Sequence, residues 1–162
     1  MGEMAKKISN MDSKDLIEEL NKAYAEEWLA YYQYWVGAKV AVGLERPKVV
    51  AEFKEHAMQE LKHADMVAER IIQLGGVPLL DPSDWKEYAH CKYDAPRESD
   101  TRILVNQNLI AERCAIARYE GICEMCKDKD YETYNISRKI LTEELEHEQE
   151  MEDFEADFKF YQ

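Results

Sequence analysis

Two short stretches of the chain repeat each other. Glu60-Leu61-Lys62-His63 reads E-x-x-H, and Glu144-Leu145-Glu146-His147 reads the same. Glu27 precedes the first by 33 residues, and Glu112 precedes the second by 32. Tyr34 follows Glu27 by seven positions, as Tyr119 follows Glu112. Residues three or four apart share one face of a helix, so each E-x-x-H aims a carboxylate and an imidazole at one point. Two such turns, with two further glutamates on facing helices, can surround a pair of metal ions inside a four-helix bundle. The repeat therefore asks for an all-α chain of two helical hairpins whose charged residues meet in the middle.

The rest of the pattern supplies four helices of roughly 28 residues, each about 40 Å long. The first is expected from Asp12 or Ser13, an N-cap candidate, to about Val42, with Gly43 just past its end. Its apolar stripe runs Leu16, Leu20, Tyr24, Glu27, Tyr31, Tyr34, Ala38, so that a carboxylate interrupts the face that should be buried. Buried carboxylates are costly unless paired or bound to metal. Glu26 falls a hundred degrees away on the flank and is not chosen. The second helix starts near Pro47 and stops at Gly75-Gly76, with Phe53, His56, Glu60, His63, Val67 and Ile71 on its inner face. The third spans about Asp100 to Lys127, with Leu109, Glu112, Ile116 and Tyr119 inward. The fourth spans about Tyr131 to Phe158, with Ile140, Glu144, His147 and Met151 inward. Between the second and third, residues 76–99 hold Pro78, Pro82 and Pro96 and lose the helical period, with room for a short helix over 84–90. So long a connection is unusual; here it lets the third helix begin at the opposite end of the bundle from where the second stops. The reading is a single domain over 1–162, with 1–11 as an N-terminal tail.

The chain has 162 residues and a formal net charge of −13, which disfavours a nucleic-acid partner and suits a protein that gathers cations. Residues 1–10 carry lysines but no apolar run, and no stretch has the length and hydropathy of a membrane span; a cytoplasmic location is expected. Four cysteines are too few for a disulfide scaffold.

With Glu27, Glu60, His63, Glu112, Glu144 and His147 in place, the chain from about Asp12 onward resembles the ferritin superfamily, and most closely the bacterioferritin-related, Dps-like proteins called thioferritins. The resemblance implies a ferritin-like antiparallel bundle and a di-iron site within one chain, with Mn or Zn as possible substitutes. It implies that Glu27 with His63 holds one metal, Glu112 with His147 the other, and that Glu60 and Glu144 bridge. Each imidazole is then expected to give its second N–H to an outer acceptor. Tyr34 matches the tyrosine beside the metals of bacterioferritins, and Tyr119 is its mate. Either could hydrogen-bond a bridging carboxylate, give up an electron, or be a core aromatic with a satisfied hydroxyl. His56 is read as a core or pathway residue rather than a ligand, and His90 is given no role. Leu61 stands where bacterioferritins carry a haem-ligating Met, so no haem is expected. No fifth helix is expected after the fourth, which favours the dodecameric cage of Dps-like proteins. The thioferritin group further implies a Cys91–Cys114 pair near the site, weighed evenly against free thiols. Cys123 and Cys126 are taken as small core residues.

The implied function is ferroxidase and iron storage. Fe(II) would be oxidised by hydrogen peroxide or oxygen and its ferric product stored in a homo-oligomeric cage, protecting against oxidative stress. Two rivals remain. A rubrerythrin-like peroxidase usually carries two C-x-x-C knuckles in a rubredoxin module, and this chain has one, mid-helix. A DNA-binding Dps-type protein would need a basic tail, for which Lys6 and Lys7 are a poor substitute.

Overall fold

The computed structural model describes residues 3–161. A short helix α1 (Glu3–Lys7) stands within the segment expected as a plain tail, and is followed by α2 (Ser13–Val40) and α3 (Arg46–Gln73). A 3-10 turn (Pro82–Asp84) leads into the short α4 (Trp85–Tyr88), and α5 (Thr101–Cys126) and α6 (Tyr131–Lys159) complete the chain. Among the described residues no helix is long and apolar enough to cross a membrane. Helix ends follow simple chemistry. Asp12, Asp100 and Asp130 each accept a backbone N–H from the first turn of α2, α5 and α6, filling donors that a helix start leaves open. Helix α3 lacks such a cap and begins instead with Pro47 in its first turn.

Helices α2 and α3 form one hairpin, and α5 and α6 the other, through connections short enough to force antiparallel packing. The chain then crosses from the end of α3 to the far end of the bundle. There Val42 donates to the Ser99 carbonyl at 2.8 Å and accepts from Thr101 N–H at 3.0 Å, so the end of α2 lies beside the start of α5. This is the ferritin-like connectivity expected from the long connection. It starts on Gly75, at φ 84°, and Gly76. A Cβ on Gly76 would lie 2.8 Å from the Ile17 side chain, so the chain can leave α3 this close to α2 only without one.

The crossover has little secondary structure of its own, and α2 supplies its hydrogen bonds. The Asn21 side chain accepts from Leu79 N–H at 3.0 Å, Glu26 accepts from His90 and Cys91 N–H at 2.7 and 3.1 Å, and Gln33 accepts from Asp94 N–H at 2.9 Å. These polar residues lie on the flank of α2 and are buried because the crossover covers them. Cys91 and Cys114 are joined in a disulfide, Cα atoms 5.7 Å apart, which ties the same segment to α5. Cys123 and Cys126 are free and buried, and burial pushes the Cys126 thiol up to about 12, as suits core residues.

The interior is divided. One apolar cluster holds Phe53, Ala38, Leu104, Leu109, Met151 and Phe158; the other holds Leu16, Leu20, Val67, Ile71, Ile122 and Ile140. Near the second cluster Arg70 is 1% exposed and reaches both oxygens of Asp130, at 3.0 and 2.9 Å, with Thr133 Oγ1 at 2.8 Å. This fork fastens the end of α3 to the α5–α6 turn. Burial raises the Asp130 pKa, but the Thr133 N–H, Ser9 and Arg70 outweigh it and hold the carboxyl below its ordinary value. Removing one partner of a buried pair strands the other charge, at a cost of about 3–5 kcal/mol. Asp130→Asn should therefore destabilise the fold by that amount near neutral pH. The loss should shrink as pH falls through the depressed pKa of Asp130, where the wild type also loses the pair. Chemical denaturation at several pH values checks this, and a loss below about 1 kcal/mol at neutral pH would contradict it.

Candidate metal centre

Between the two apolar clusters lies a layer of ionisable groups. Glu27 comes from α2, Glu60 and His63 from α3, Glu112 from α5, and Glu144 and His147 from α6; none is more than 3% exposed. Each lies in an apolar stripe, so folding the helices onto one another carries it inside. The structure brings together all six residues that the repeat singled out. They form two overlapping groups whose ligand atoms lie within 4.8 Å of one another, Glu27–Glu60–His63–Glu144 and Glu60–Glu112–Glu144–His147.

The overlap has a definite geometry. His63 Nδ1 lies 3.2 Å from Glu60 Oε2, 3.1 Å from Glu144 Oε1 and 3.5 Å from Glu27 Oε2. His147 Nδ1 lies 3.4 Å from Glu60 Oε1, 3.4 Å from Glu144 Oε2 and 3.7 Å from Glu112 Oε2. Glu60 and Glu144 thus turn one oxygen to each half, while Glu27 serves only the first half and Glu112 only the second. Both imidazoles point Nδ1 inward, and both engage an outer acceptor with Nε2: Glu143 at 2.7 Å for His63, and the Gln59 side-chain oxygen at 2.6 Å for His147. Such outer bonds fix which ring nitrogen faces the centre.

Of the alternatives open for the tyrosines, the structure shows buried rings with satisfied hydroxyls, bonded to outer rather than shared carboxylates. Tyr34 donates its hydroxyl to Glu112, and Tyr119 donates to Glu27. Each therefore reaches the single-sided carboxylate of the other hairpin, and neither touches Glu60 or Glu144. Each hydroxyl crosses between the neighbouring helices α2 and α5 to a carboxyl on the other helix rather than staying with the glutamate of its own.

Electrostatics show what such a layer requires. Burial pushes Glu27 and Glu112 well above the usual carboxylate range. Burial acts on Glu60 and Glu144 too, but the imidazoles of His63 and His147 beside them outweigh it and hold both carboxyls below their ordinary value. Burial opposes charge on His63 and His147, yet the glutamates around them overcome it and raise both imidazoles above their ordinary value. Groups of opposite charge thus face one another across the layer. Even so, Glu60 Oε1, both Glu144 oxygens and His147 Nδ1 are buried without a hydrogen-bond partner. Unsatisfied buried groups of this kind are rare, and four around one point are what two divalent cations would fill. Carboxylates and imidazoles suit iron, manganese or zinc.

Two neighbours bear on access. A cavity of about 30 Å3 opens between α2 and α5 beneath the crossover and reaches Glu27, Glu60 and Glu112, with Ala30, Ala111 and Cys91 in its walls. Glu26, passed over as a flank residue, lines the same cavity and binds Arg118 at 3.0 Å as well as the crossover backbone. His56, on the other side of the centre, stacks on His147 with ring centroids 4.0 Å apart; burial, then the charge of His147, pushes its pKa down to about 3.

Comparison with known proteins agrees with this construction. A ferritin-like domain model matches residues 17–160. The dodecameric thioferritin of Bacteroides fragilis, described as a bacterioferritin-related protein, is 50% identical, with a TM-score of 0.97 over 99% of this chain and 96% of that one. The DNA protection during starvation protein of Pyrococcus furiosus is 34% identical over 142 residues, 86% of this chain and 76% of the relative. A bacterioferritin from Rhodobacter capsulatus is 29% identical over 133 residues, 82% of this chain and 77% of the relative. The chain belongs to the ferritin family, in its bacterioferritin-related thioferritin group.

Proposed function

We propose that the protein is a ferroxidase that oxidises Fe(II) at a dinuclear site inside each chain and stores the ferric product in a cage of identical subunits. The observation that carries the reading is the sharing of Glu60 and Glu144 between two otherwise separate ligand groups. Glu27 and His63 hold one Fe(II), Glu112 and His147 hold the other, and Glu60 and Glu144 bridge them. A bridged pair of iron ions supplies two electrons to an oxidant together. Reduction of one hydrogen peroxide to two waters takes those two electrons and two protons; oxygen is the alternative oxidant. Either is small enough for the cavity beneath the crossover, where alanines at 30 and 111 leave the gap between α2 and α5. Tyr34 and Tyr119 orient the outer carboxylates through their hydroxyls. Glu143 and Gln59 keep both Nδ1 atoms aimed at the iron. The disulfide beside the cavity ties the crossover to α5 and holds it in place.

The cage rests on the dodecameric assembly of the Bacteroides fragilis relative and on the high acidity of this chain, which gives a mineral many carboxylates to start from. DNA protection, named for the Pyrococcus furiosus relative, fits poorly with a net charge of −13.

Glu60→Ala and Glu144→Ala should each remove the fast phase of aerobic or peroxide-driven Fe(II) oxidation. Gln59→Leu and Glu143→Ala, which touch only the outer ring nitrogens, should weaken metal affinity by about 10–100-fold. Stopped-flow absorbance, run beside light scattering and iron analysis of the particle, measures all of this. Wild-type rates in both bridging variants, or a wild-type particle that takes up no more iron than its binding sites hold, would overturn the reading. A second expectation concerns pH. Because Glu27, Glu112 and both histidines hold protons that cations must displace, divalent metal binding should release protons and strengthen as pH rises. Zn(II) calorimetry in buffers of different ionisation enthalpy reads the release directly, and binding that is independent of pH between about 6 and 8 would contradict it.

A further inference from the structure

One set of groups outside the six ligands is arranged like a binding site. His56, on α3 and 1% exposed, points Nε2 at two carboxylates: Glu150 Oε2 on α6 at 2.7 Å and Glu52 Oε1, one turn earlier on α3, at 3.4 Å. One ligand atom from each of the three lies within 4.8 Å of the others. Glu52 and Glu150 sit close enough to share a hydrogen bond, and Glu55 and Glu146 add negative charge beside them. Glu150 is 48% exposed, so the trio opens to solvent, whereas its imidazole is enclosed.

The imidazole also looks inward. Its ring stacks on His147 at 4.0 Å, and His56, Glu112 and His147 bring ligand atoms within 4.8 Å of one another. Its Nδ1 is buried with no partner. If the ring proton sits on Nε2 to serve Glu150, Nδ1 is left as a buried acceptor without a donor. A cation on Nε2 would take the place of the Nε2 proton between the two carboxylates. One nitrogen and two carboxylates, with solvent completing the shell, suit a divalent cation of the iron, manganese or zinc type.

We propose that Glu52, His56 and Glu150 form a third divalent-cation site, through which Fe(II) is handed to the dinuclear centre. The proposal rests on the dinuclear reading for its destination and on the outer trio alone for its existence. The His56 ring spans the gap between the two, so a cation held on it needs to travel only about one ring's width to reach the ligands around His147. Entry here would come between α3 and α6, on a different side from the cavity between α2 and α5, so metal and oxidant would arrive by separate routes.

The test uses the assembled protein under anaerobic conditions with Zn(II), which binds the same donors without redox chemistry. Equilibrium dialysis compares the wild type, Glu52→Gln/Glu150→Gln, the charge-matched control Glu120→Gln/Glu124→Gln on the exposed face of α5, and Glu60→Ala. The expected tightly bound zinc per chain is three for the wild type and the control, and two for Glu52→Gln/Glu150→Gln. Glu60→Ala should lose zinc from the centre and keep the outer ion. Initial Fe(II) oxidation at limiting Fe(II) should fall severalfold in Glu52→Gln/Glu150→Gln and recover when Fe(II) is in excess. An unchanged zinc count, an equal fall in the control, or an unchanged rate at limiting Fe(II) would each overturn the proposal. Two zinc ions in both the wild type and Glu52→Gln/Glu150→Gln would remove the outer site and leave the dinuclear centre standing. Loss of the inner pair from the wild type with one ion retained would instead remove the dinuclear reading.

Discussion

The structure depends on one unfavourable act, the burial of four carboxylates and two imidazoles at the middle of a bundle. Each isolated charge in such a place would cost several kcal/mol, and the layer breaks the apolar interior into two clusters. The helices tolerate it because the charges are opposed in pairs and because Tyr34 and Tyr119 each give a hydroxyl to a carboxyl on the other hairpin. The apolar cluster on either side then does the holding, with the Arg70–Asp130 fork closing one end. Neither Glu144 oxygen has a hydrogen-bond partner. The cations proposed for this layer would supply one.

A second constraint is the crossover. A segment of this length must satisfy its backbone somewhere, and Asn21, Glu26 and Gln33 provide the acceptors at intervals along α2. Arg118 reaches Glu26 from α5, and the Cys91–Cys114 disulfide adds a covalent tie. The lid over the α2–α5 gap is thereby fixed, and the cavity beneath it stays narrow. The crossover can lie along only one face of the bundle, and Glu52 and Glu150 stand on another, between α3 and α6.

Much of this could be read from the sequence because the ligands break a pattern. Glu27, Glu60, Glu112 and Glu144 stand out as charges in apolar stripes, and the duplication at 33 and 32 residues pairs them. Helix ends were legible from Asp12, Asp100 and Pro47, and the ferritin-like topology from the length of the connection. Other features depend on what lies beside a helix, which periodicity does not report. Glu26 and Gln33 sit on a flank that looks solvated until an aperiodic segment covers it. Tyr34 and Tyr119 choose the carboxylates of the opposite hairpin because of how α2 and α5 are turned toward each other, and spacing along one helix carries no trace of that. His56 was visible as an inward histidine. Glu52 one turn earlier could have been paired with it, but Glu150 on α6 could be found only from the packing.

The central claim is that one chain holds two cations bridged by Glu60 and Glu144. Anomalous diffraction at the zinc edge, from crystals of the Zn(II)-loaded protein, tests it most directly. The account predicts two strong peaks within each bundle, about 3.5–4 Å apart, both within bonding distance of Glu60 and Glu144, with His63 on one and His147 on the other. A single peak in that layer, or a pair lying between two chains instead of within one, would contradict it.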